Sequence, residues 1–217
     1  MTFHWWRKFL CGVAAAVLIA ASVPAAAQQA KPAVLSPDDR ADIARIEQYL
    51  NELTTLTAHF TQVASTGEVS HGRFYLSRPG KMRFEYDPPV PVLLVATGTL
   101  LIYVDKELQQ VSQVLQSSTP ISVLVRKNVN LEDGLTIIGF ERRPGVLRVS
   151  VTETKNPQEG FITLVFAENP MALRQWQVTD AQGVVTTVTL SNVRRGMALA
   201  DALFHVDTDS FNRYEPK

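Results

Sequence analysis

Short runs in which apolar and polar positions alternate occupy most of the chain from about Thr57 onward. An alternation with a period of two places successive side chains on opposite faces of a β-strand. Turn signals such as Arg78-Pro79-Gly80 and Asn169-Pro170 separate the runs. The pattern therefore predicts eleven strands, over residues 57–64, 67–77, 81–86, 91–96, 99–104, 109–115, 135–142, 145–154, 160–167, 172–179 and 184–193.

Helical patterns precede and interrupt these strands. Ser36 is a favourable N-cap, and Pro37 suits the first helical position. Apolar residues then recur every three or four positions, at Ile43, Ile46, Leu50 and Leu53. We expect the other side of this helix to be polar, with Asp42, Arg45, Glu47 and Gln48. A second capping signal, Ser117-Ser118-Thr119-Pro120, predicts a short helix with Ile121, Leu124 and Val125 on one face, and a third short turn is predicted at Asp201-Ala202-Leu203.

Many strands in series without intervening helices are typical of an antiparallel meander. Such a meander forms a sandwich, a barrel or a strongly curved sheet. The apolar stripe of the first helix must pack on this sheet, so we predict a mainly β fold whose concave face is covered by helices. We expect a single domain over residues 28–217, with residues 28–35 as a flexible linker.

The alternation also assigns side chains to faces of the sheet. In the predicted strand 81–86, Arg83 and Glu85 point away from the apolar face. The residues assigned to that face are Phe60, Phe74, Leu76, Met82, Phe84, Tyr86, Leu101, Tyr103, Val111 and Trp176. They form either a packed core, which the pattern alone favours, or the wall of a cavity for an apolar ligand. Periodicity does not distinguish these two alternatives.

The first 27 residues have the pattern of a signal peptide. Arg7 and Lys8 precede an uncharged apolar run over residues 9–23, and Ala25-Ala26-Ala27 supplies the small residues of a cleavage site. The alternative is a membrane anchor, but the apolar run is shorter than the ~20 residues that span a bilayer. We therefore predict cleavage after Ala27 and export to a bacterial periplasm.

Cleavage would remove the only cysteine of the chain, Cys11. Lipid attachment at Cys11 is disfavoured because Lys8-Phe9-Leu10 lacks the small residues that lipoprotein processing requires. Disulfides, thiol catalysis and Cys-based metal sites are then excluded. The protein must be stabilised by its core alone.

Composition and motifs exclude several function classes. The chain of 217 residues has 21 Lys+Arg and 21 Asp+Glu, whereas nucleic-acid binders usually carry a basic excess, so no nucleic-acid partner is expected. The sequence contains no nucleophile elbow, zincin, Walker or dinucleotide-binding motif. The spacing of His59, His71 and His205 indicates no metal site. We predict a protein that binds or carries a ligand, without enzymatic activity and without a cofactor.

Four phrases, in this order along the chain, resemble the LolA family of periplasmic carriers of outer-membrane lipoproteins. They are Ala58-His59-Phe60-Thr61-Gln62; Gly72-x-Phe74-x-Leu76-Ser77-Arg78-Pro79-Gly80-Lys81-Met82-Arg83-Phe84-Glu85-Tyr86; Leu93-Leu94-Val95-Ala96-Thr97-Gly98-x-Leu100-Leu101-Ile102-Tyr103; and Asp201-Ala202-x-Phe204-x-Val206. Each phrase is weakly specific alone, and the ordered set covers nearly the whole chain after the predicted signal peptide.

The resemblance implies an unclosed antiparallel β-barrel of about eleven strands. The N-terminal helix and short central helices would form a lid over a cavity for acyl chains. The apolar residues named above, together with Ile121 and Leu124 of the central helix, would line this cavity. Arg78 matches the arginine of the family that bonds to the lid and keeps it closed when the cavity is empty.

The resemblance also implies partners for a monomeric carrier. It would accept acylated lipoproteins from an inner-membrane ABC-type release complex and deliver them to an outer-membrane acceptor or to the outer membrane itself. Three alternatives remain at this point: a periplasmic carrier of another lipid, a lipoprotein-sensing regulatory module of the same fold, and a hydrolase with an unrecognised site.

Overall fold

The computed structural model describes residues 31–207, so the predicted signal peptide lies outside the described residues. One α-helix, α1 (Pro37–Glu52), precedes the sheet. The strands are β1 (Thr55–Val63), β2 (Val69–Ser77), β3 (Lys81–Tyr86), β4 (Val92–Thr97), β5 (Leu100–Asp105), β6 (Gln110–Leu115), β7 (Leu135–Arg143), β8 (Val146–Glu153), β9 (Gly160–Glu168), β10 (Met171–Asp180) and β11 (Val185–Arg195). Four short 3₁₀ helices are η1 (Gln116–Ser118), η2 (Pro120–Val125), η3 (Pro157–Glu159) and η4 (Asp201–Phe204).

The eleven strands form one antiparallel sheet in the order β6-β5-β4-β3-β2-β1-β11-β10-β9-β8-β7. Strands β1 to β6 pair in chain order, as do β7 to β11, and the pairing of β1 with β11 joins the two sets. The sheet stays open because β6 and β7 lie at its two edges. All eleven predicted strands are confirmed, with ends that agree to within two residues. The unclosed barrel with covering helices is therefore the observed architecture.

Helix α1 begins where the capping residues predict. The Ser36 hydroxyl accepts from the Asp39 N–H at 3.1 Å, and the Asp39 carboxylate accepts from the Ser36 N–H at 2.9 Å. This reciprocal pair satisfies two otherwise unpaired donors at the helix start. The helix buries Ile43, Ile46 and Leu50 against the sheet, as the apolar stripe predicts.

The polar side predicted for α1 needs one correction. Asp42 is buried, with only 4% of its side chain exposed, and it pairs with Arg45 at 2.9 Å and with Arg142 of β7. A buried carboxylate is tolerated because two arginines compensate its charge. Asp42 therefore joins α1 to the edge of the sheet instead of facing solvent.

The central helix η2 is a 3₁₀ helix whose first residue is Pro120. Its predicted capping signal makes no side-chain cap; the Thr119 hydroxyl instead donates to the Gln116 carbonyl at 2.7 Å. The helix buries Val123, Leu124 and Val125 in the same core as α1. Both helices thus cover the concave face, as predicted.

Two apolar clusters lie on opposite faces of the sheet. The larger one fills the space between the concave face and the helices. The smaller one lies on the convex face, where η4 places Phe204 against Leu93, Val95, Ile102 and Val104. In the predicted linker, Ala33 and Leu35 pack against the larger cluster.

The assignment of Val111 to the concave face is wrong. Val111 pairs with Val104, a member of the convex cluster, and packs against that cluster itself. In β6 it is Ser112 and Val114 that share the concave face with Tyr103 and Leu101. The apolar residues of β6 do not follow one alternation, so the pattern could not select the correct face.

Candidate functional site

An aromatic cluster forms the centre of the concave face. Phe60, Phe74, Phe84 and Trp176 come from four different strands, and each is at most 2% exposed. Their ring centroids lie 4.7 Å apart for Phe74–Phe84, 5.3 Å for Phe60–Phe84 and for Phe74–Trp176, and 6.0 Å for Phe84–Trp176. Tilted and edge-on rings at these distances attract one another beyond simple burial. The structure therefore brings these four predicted residues into one cluster.

Gly72 creates the space for the Phe60 ring. The two residues are directly opposite in the pairing of β1 with β2. A Cβ atom at position 72 would lie 2.7 Å from the Phe60 ring and 2.2 Å from the Glu85 carbonyl oxygen. Only glycine allows both neighbours to stay where they are.

The cluster contains two polar groups, the Tyr86 hydroxyl and the Trp176 indole N–H, and they differ in hydrogen bonding. Tyr86 lies against Phe60 at 5.0 Å, and its hydroxyl donates to the Gln62 side chain at 2.7 Å. Burial raises the pKa of the Tyr86 hydroxyl to about 12. The indole N–H of Trp176 is fully buried and has no hydrogen-bond partner among the described residues. Within the described residues, the cluster thus contains one buried donor without a partner, and Tyr86 and Gln62 form a hydrogen-bonded pair beside it.

The remaining predicted wall residues, except Val111, line the same space, with Ile121 and Leu124 on the η2 side and the others on the concave face. Leu76, Met82 and Leu124 are buried, while Leu101 and Ile121 are half-buried against the cluster. Tyr103 is directly opposite Leu94, which packs against the same cluster. Side chains fill the space between the sheet and the helices in this conformation, because the largest of them are less than 2% exposed.

Arg78 joins three parts of the molecule immediately after β2. Its Nε donates to the Arg126 carbonyl at 3.0 Å, and its Nη1 and Nη2 donate at 3.4 Å to the Leu53 and Lys127 carbonyls. Leu53 is the C-cap of α1, and Arg126 is the C-cap of η2. Burial lowers the pKa of the Arg78 guanidinium from its ordinary value. The side chain thus bonds the sheet to the ends of both covering helices.

The backbone around Arg78 strengthens this junction. The Gly80 N–H donates to the Val125 carbonyl of η2 at 2.8 Å. Gly80 has a positive φ of 85°, and a Cβ there would lie 2.8 Å from the Gly98 Cα. The turn between β2 and β3 therefore packs directly on the turn between β4 and β5, beneath the end of η2.

Several contacts of the covering helices and of the segment after η2 escape prediction from sequence. The Arg126 side chain pairs with Glu153 of β8 at 2.6 Å and donates to the Asp133 carbonyl at 2.9 Å. The Asn51 side chain exchanges two hydrogen bonds with the backbone of Val129, at 2.9 and 2.8 Å. Asn51 and Val129 are 78 residues apart, and no local pattern relates them. The segment after η2 is consequently bound to both α1 and the sheet.

The histidines do not form a site. His59 and His205 are exposed, and His71 shares a hydrogen bond of 3.1 Å with Thr61. Within residues 31–207, no three His, Cys, Asp or Glu side chains are placed to hold a metal ion. In this part of the chain, each helix is too short or too polar to cross a bilayer.

Comparison with known proteins decides the family. The model of the family described as outer membrane lipoprotein carrier protein LolA matches residues 51–207, which is more than half of the chain. The chain belongs to the LolA family. The matched range begins near the end of α1 and includes all eleven strands, Arg78 and η4.

Curated members of the LolA family are similar over most of their length. The outer-membrane lipoprotein carrier protein of Methylococcus capsulatus is 30% identical over 169 residues, which cover 74% of this chain and 80% of that protein. The protein of the same name from Dechloromonas aromatica is 31% identical over 170 residues, with coverages of 74% and 80%. A solved LolA superfamily protein from Nitrosomonas europaea aligns with a TM-score of 0.42 at 9% identity, over 76% of this chain and 98% of that one.

Proposed function

We propose that this protein is a periplasmic lipoprotein carrier. It binds the acyl chains of lipoproteins that leave the inner membrane and delivers them to the outer membrane. The observation that carries the proposal is a large apolar face under two helices whose ends are held by one arginine, Arg78, in a chain of the LolA family. The helices act as the lid, and Arg78 is the latch that keeps it closed.

Acyl chains would occupy the space that the aromatic cluster and η2 now fill. Wall residues for this purpose are Phe60, Phe74, Leu76, Met82, Phe84, Tyr86, Leu101, Tyr103, Ile121, Leu124 and Trp176. Binding requires η2 to move away from the sheet, since its Leu124 is only 2% exposed. Ligand and lid therefore compete for the same apolar surface.

This competition supports release as well as binding. Burying one CH₂ group contributes about 0.8 kcal/mol, so a long acyl chain would contribute on the order of 10 kcal/mol. A cavity that stood open would retain such a ligand. Closure of the lid restores the bonds of Arg78 and the burial of η2, and this lowers the net affinity. The carrier can then pass its cargo to an outer-membrane acceptor or to the membrane itself.

Loading requires free energy from a partner in this proposal. The packed core must be opened before a chain enters, and we assign this step to an inner-membrane ABC-type release complex. The carrier works as a monomer with an acylated lipoprotein as its cargo. It needs no cofactor, because exchange between apolar environments involves no change in covalent bonds.

The latch is tested with Arg78→Leu, which removes the donors to Arg126, Leu53 and Lys127. We expect the variant to accept lipoproteins released from spheroplasts but to deliver less than about a tenth of them to outer membranes. The reason is that a loss of about 1.4 kcal/mol in the free energy of lid closure lowers the ratio of closed to open carrier tenfold. Arg73→Leu is the matched control, because Arg73 is an exposed arginine of β2, the strand that ends just before Arg78. Delivery at the normal rate by Arg78→Leu would refute the latch.

The nature of the cargo is tested separately by mass spectrometry of what co-purifies from the periplasm. We expect acylated polypeptides with the wild-type protein and more of them with Arg78→Leu. Free lipids without acylated polypeptides would identify a carrier of another lipid and contradict the proposal.

A further inference from the structure

The two edges of the open sheet differ in how they are protected. At β7, the Ala33 N–H donates to the Ile137 carbonyl at 2.8 Å, so the chain before α1 covers part of the edge. The pairing of β7 with β8 is shifted between Ile137 and Gly139, and charged residues end the strand at Glu141, Arg142 and Arg143. Covering, bulges and charges are the usual means by which proteins prevent strand addition.

The edge at β6 carries none of these devices within residues 31–207. Its six residues, Gln110–Leu115, pair with β5 in unbroken register and include neither a charged residue nor a proline. Val114 is 44% exposed and Leu115 is 59% exposed. No other strand of the described chain pairs with its outer side. A regular, uncharged edge of this kind is a template for an added strand.

The β6 edge is continuous with the acyl-binding face. Met82, Ala96, Leu101 and Val114 are successive cross-strand partners, so one apolar row runs from β3 to the edge. The row is buried at Met82 and Ala96, half-buried at Leu101 and exposed at Val114. An acyl chain lying along this row would bring its attached polypeptide to the outer side of β6.

The same edge leads directly into the lid. Immediately after β6, the Gln116 N–H donates to the Thr99 carbonyl at 2.9 Å, and its side chain accepts from the Gly98 N–H at 3.2 Å. Helix η1 begins at Gln116 and is followed by η2. A strand added to β6 would therefore lie beside the start of the lid.

We propose that the β6 edge binds the extended polypeptide segment that follows the acylated residue of a cargo lipoprotein, as an added β-strand. This inference rests on the proposed function. Main-chain hydrogen bonds give affinity that depends little on sequence. A carrier that accepts many lipoproteins needs such recognition, because their acyl groups are shared while their polypeptide segments vary.

Disulfide trapping tests the position of the segment. Residues 28–217 contain no cysteine, so Gln113→Cys on β6 and Glu141→Cys on β7 each introduce a single thiol. The probe is a synthetic triacylated lipopeptide of ten uncharged residues with one free cysteine at position four. We expect it to cross-link to Gln113→Cys in yields about tenfold above those for Glu141→Cys. One or two main-chain hydrogen bonds at the β6 edge would give a preference of this size.

A second measurement uses lipopeptides that carry N-methyl groups at every other residue, in either of two phases. A strand is bound through one of its edges, so methylation in one phase should weaken binding about tenfold while the other phase leaves it unchanged. Equal affinities of the two phases, or equal cross-linking at both edges, would overturn the inference while lipopeptide binding itself continues to support the carrier.

Two further outcomes are distinguishable. If none of the lipopeptides co-elutes with the wild-type protein, the proposed function fails and the inference fails with it. If Gln113→Cys forms disulfide-linked dimers without lipopeptide and the lipopeptide does not suppress them, a second copy of the chain occupies the edge and the cargo assignment is wrong.

Discussion

Individual residues set the spacing inside the aromatic cluster. Gly72 provides the clearance for Phe60, and Gly80 allows close approach to Gly98. Tyr86 and Trp176 bring polar atoms into the apolar face, and only the Tyr86 hydroxyl has a partner within the described chain. Local volume and hydrogen bonding at these positions therefore determine how tightly the concave face is packed.

Gly72→Ala should destabilise the protein, because the new Cβ would lie 2.2 Å from the Glu85 carbonyl oxygen. Overpacking of this kind costs about 1–3 kcal/mol in free energy of unfolding, measured by urea denaturation. The matched control is Gly139→Ala in β7, where a Cβ would have only ordinary contacts at 3.6 Å with Ser150. Equal stability changes in the two variants would contradict this explanation.

The stability of the protein should depend on pH in the alkaline range through Tyr86. Its pKa is raised to about 12 by burial, whereas an unfolded tyrosine has a pKa near ~10. The neutral form is thus favoured in the folded state, and its contribution is complete below pH ~10 and is lost as pH rises toward ~12. The expected slope is at most about 1.4 kcal/mol per pH unit, measured as the free energy of unfolding in urea.

Tyr86→Phe is the control for this pH dependence. It keeps the ring against Phe60 and removes the ionisable hydroxyl. We expect the difference in stability between wild type and Tyr86→Phe to be constant below pH ~10 and to shrink above it. A constant difference up to pH ~12 would show that Tyr86 does not cause the slope.

The covering elements are held by contacts between segments far apart in sequence. Arg78 binds the C-terminal ends of α1 and η2, and Asn51 binds the segment after η2 to α1. Arg126 has two roles in this arrangement: its carbonyl accepts from Arg78, and its side chain pairs with Glu153. The lid is therefore attached to the sheet on two sides, at the end of β2 and at the end of β8.

The Arg126–Glu153 pair is tested by a double-mutant cycle with Arg126→Ala and Glu153→Ala. The side chains are 25% and 23% exposed and lie 2.6 Å apart, so we expect a coupling energy of about 1–2 kcal/mol. The exposed pair Arg143–Glu141, with side chains 70% and 43% exposed, should couple by at most about 0.5 kcal/mol. Urea denaturation gives both values, and hydrogen exchange should increase in η2 only for the first pair.

For the molecule as a whole, the open edge of the sheet allows the volume of the packed core to change. A closed barrel would have to enclose a fixed volume, whereas an unclosed sheet covered by helices changes its internal volume when the helices move. The concave face is filled by side chains in this structure, and in the proposed function it becomes a binding surface when the covering helices move away. The same apolar residues thus stabilise the fold and, in the proposed function, bind the cargo.

The fluorescence of Trp176 can test whether acyl chains enter the aromatic cluster. Trp176 is fully buried, and of the three tryptophans of the chain it is the only one that the predicted cleavage after Ala27 would leave. We expect lipopeptides with brominated acyl chains to quench its fluorescence on binding, while aqueous iodide leaves it unquenched. Binding of the brominated lipopeptide, measured by co-elution, without quenching would place the acyl chains outside the aromatic cluster.

Local patterns were sufficient for the strands and for helix α1 of this protein. The alternation of side chains gave all eleven strands, and Ser36 with Pro37 gave the start of α1, because both depend on backbone geometry within a few residues. The same alternation placed Phe60, Phe74, Phe84 and Trp176 on one face. It failed for Val111, because β6 has valines at positions 111 and 114, which lie on opposite faces.

Only the tertiary structure decided how the concave face is filled and how the lid is held. The sequence by itself determined which residues form strands, which face most of them share and that the chain resembles the LolA family. It could not separate a packed core from a cavity, because both produce the same alternation. Nor could it identify Arg126 as the partner of Arg78 across 48 residues, since that contact depends on the curvature of the sheet and on where η2 crosses it.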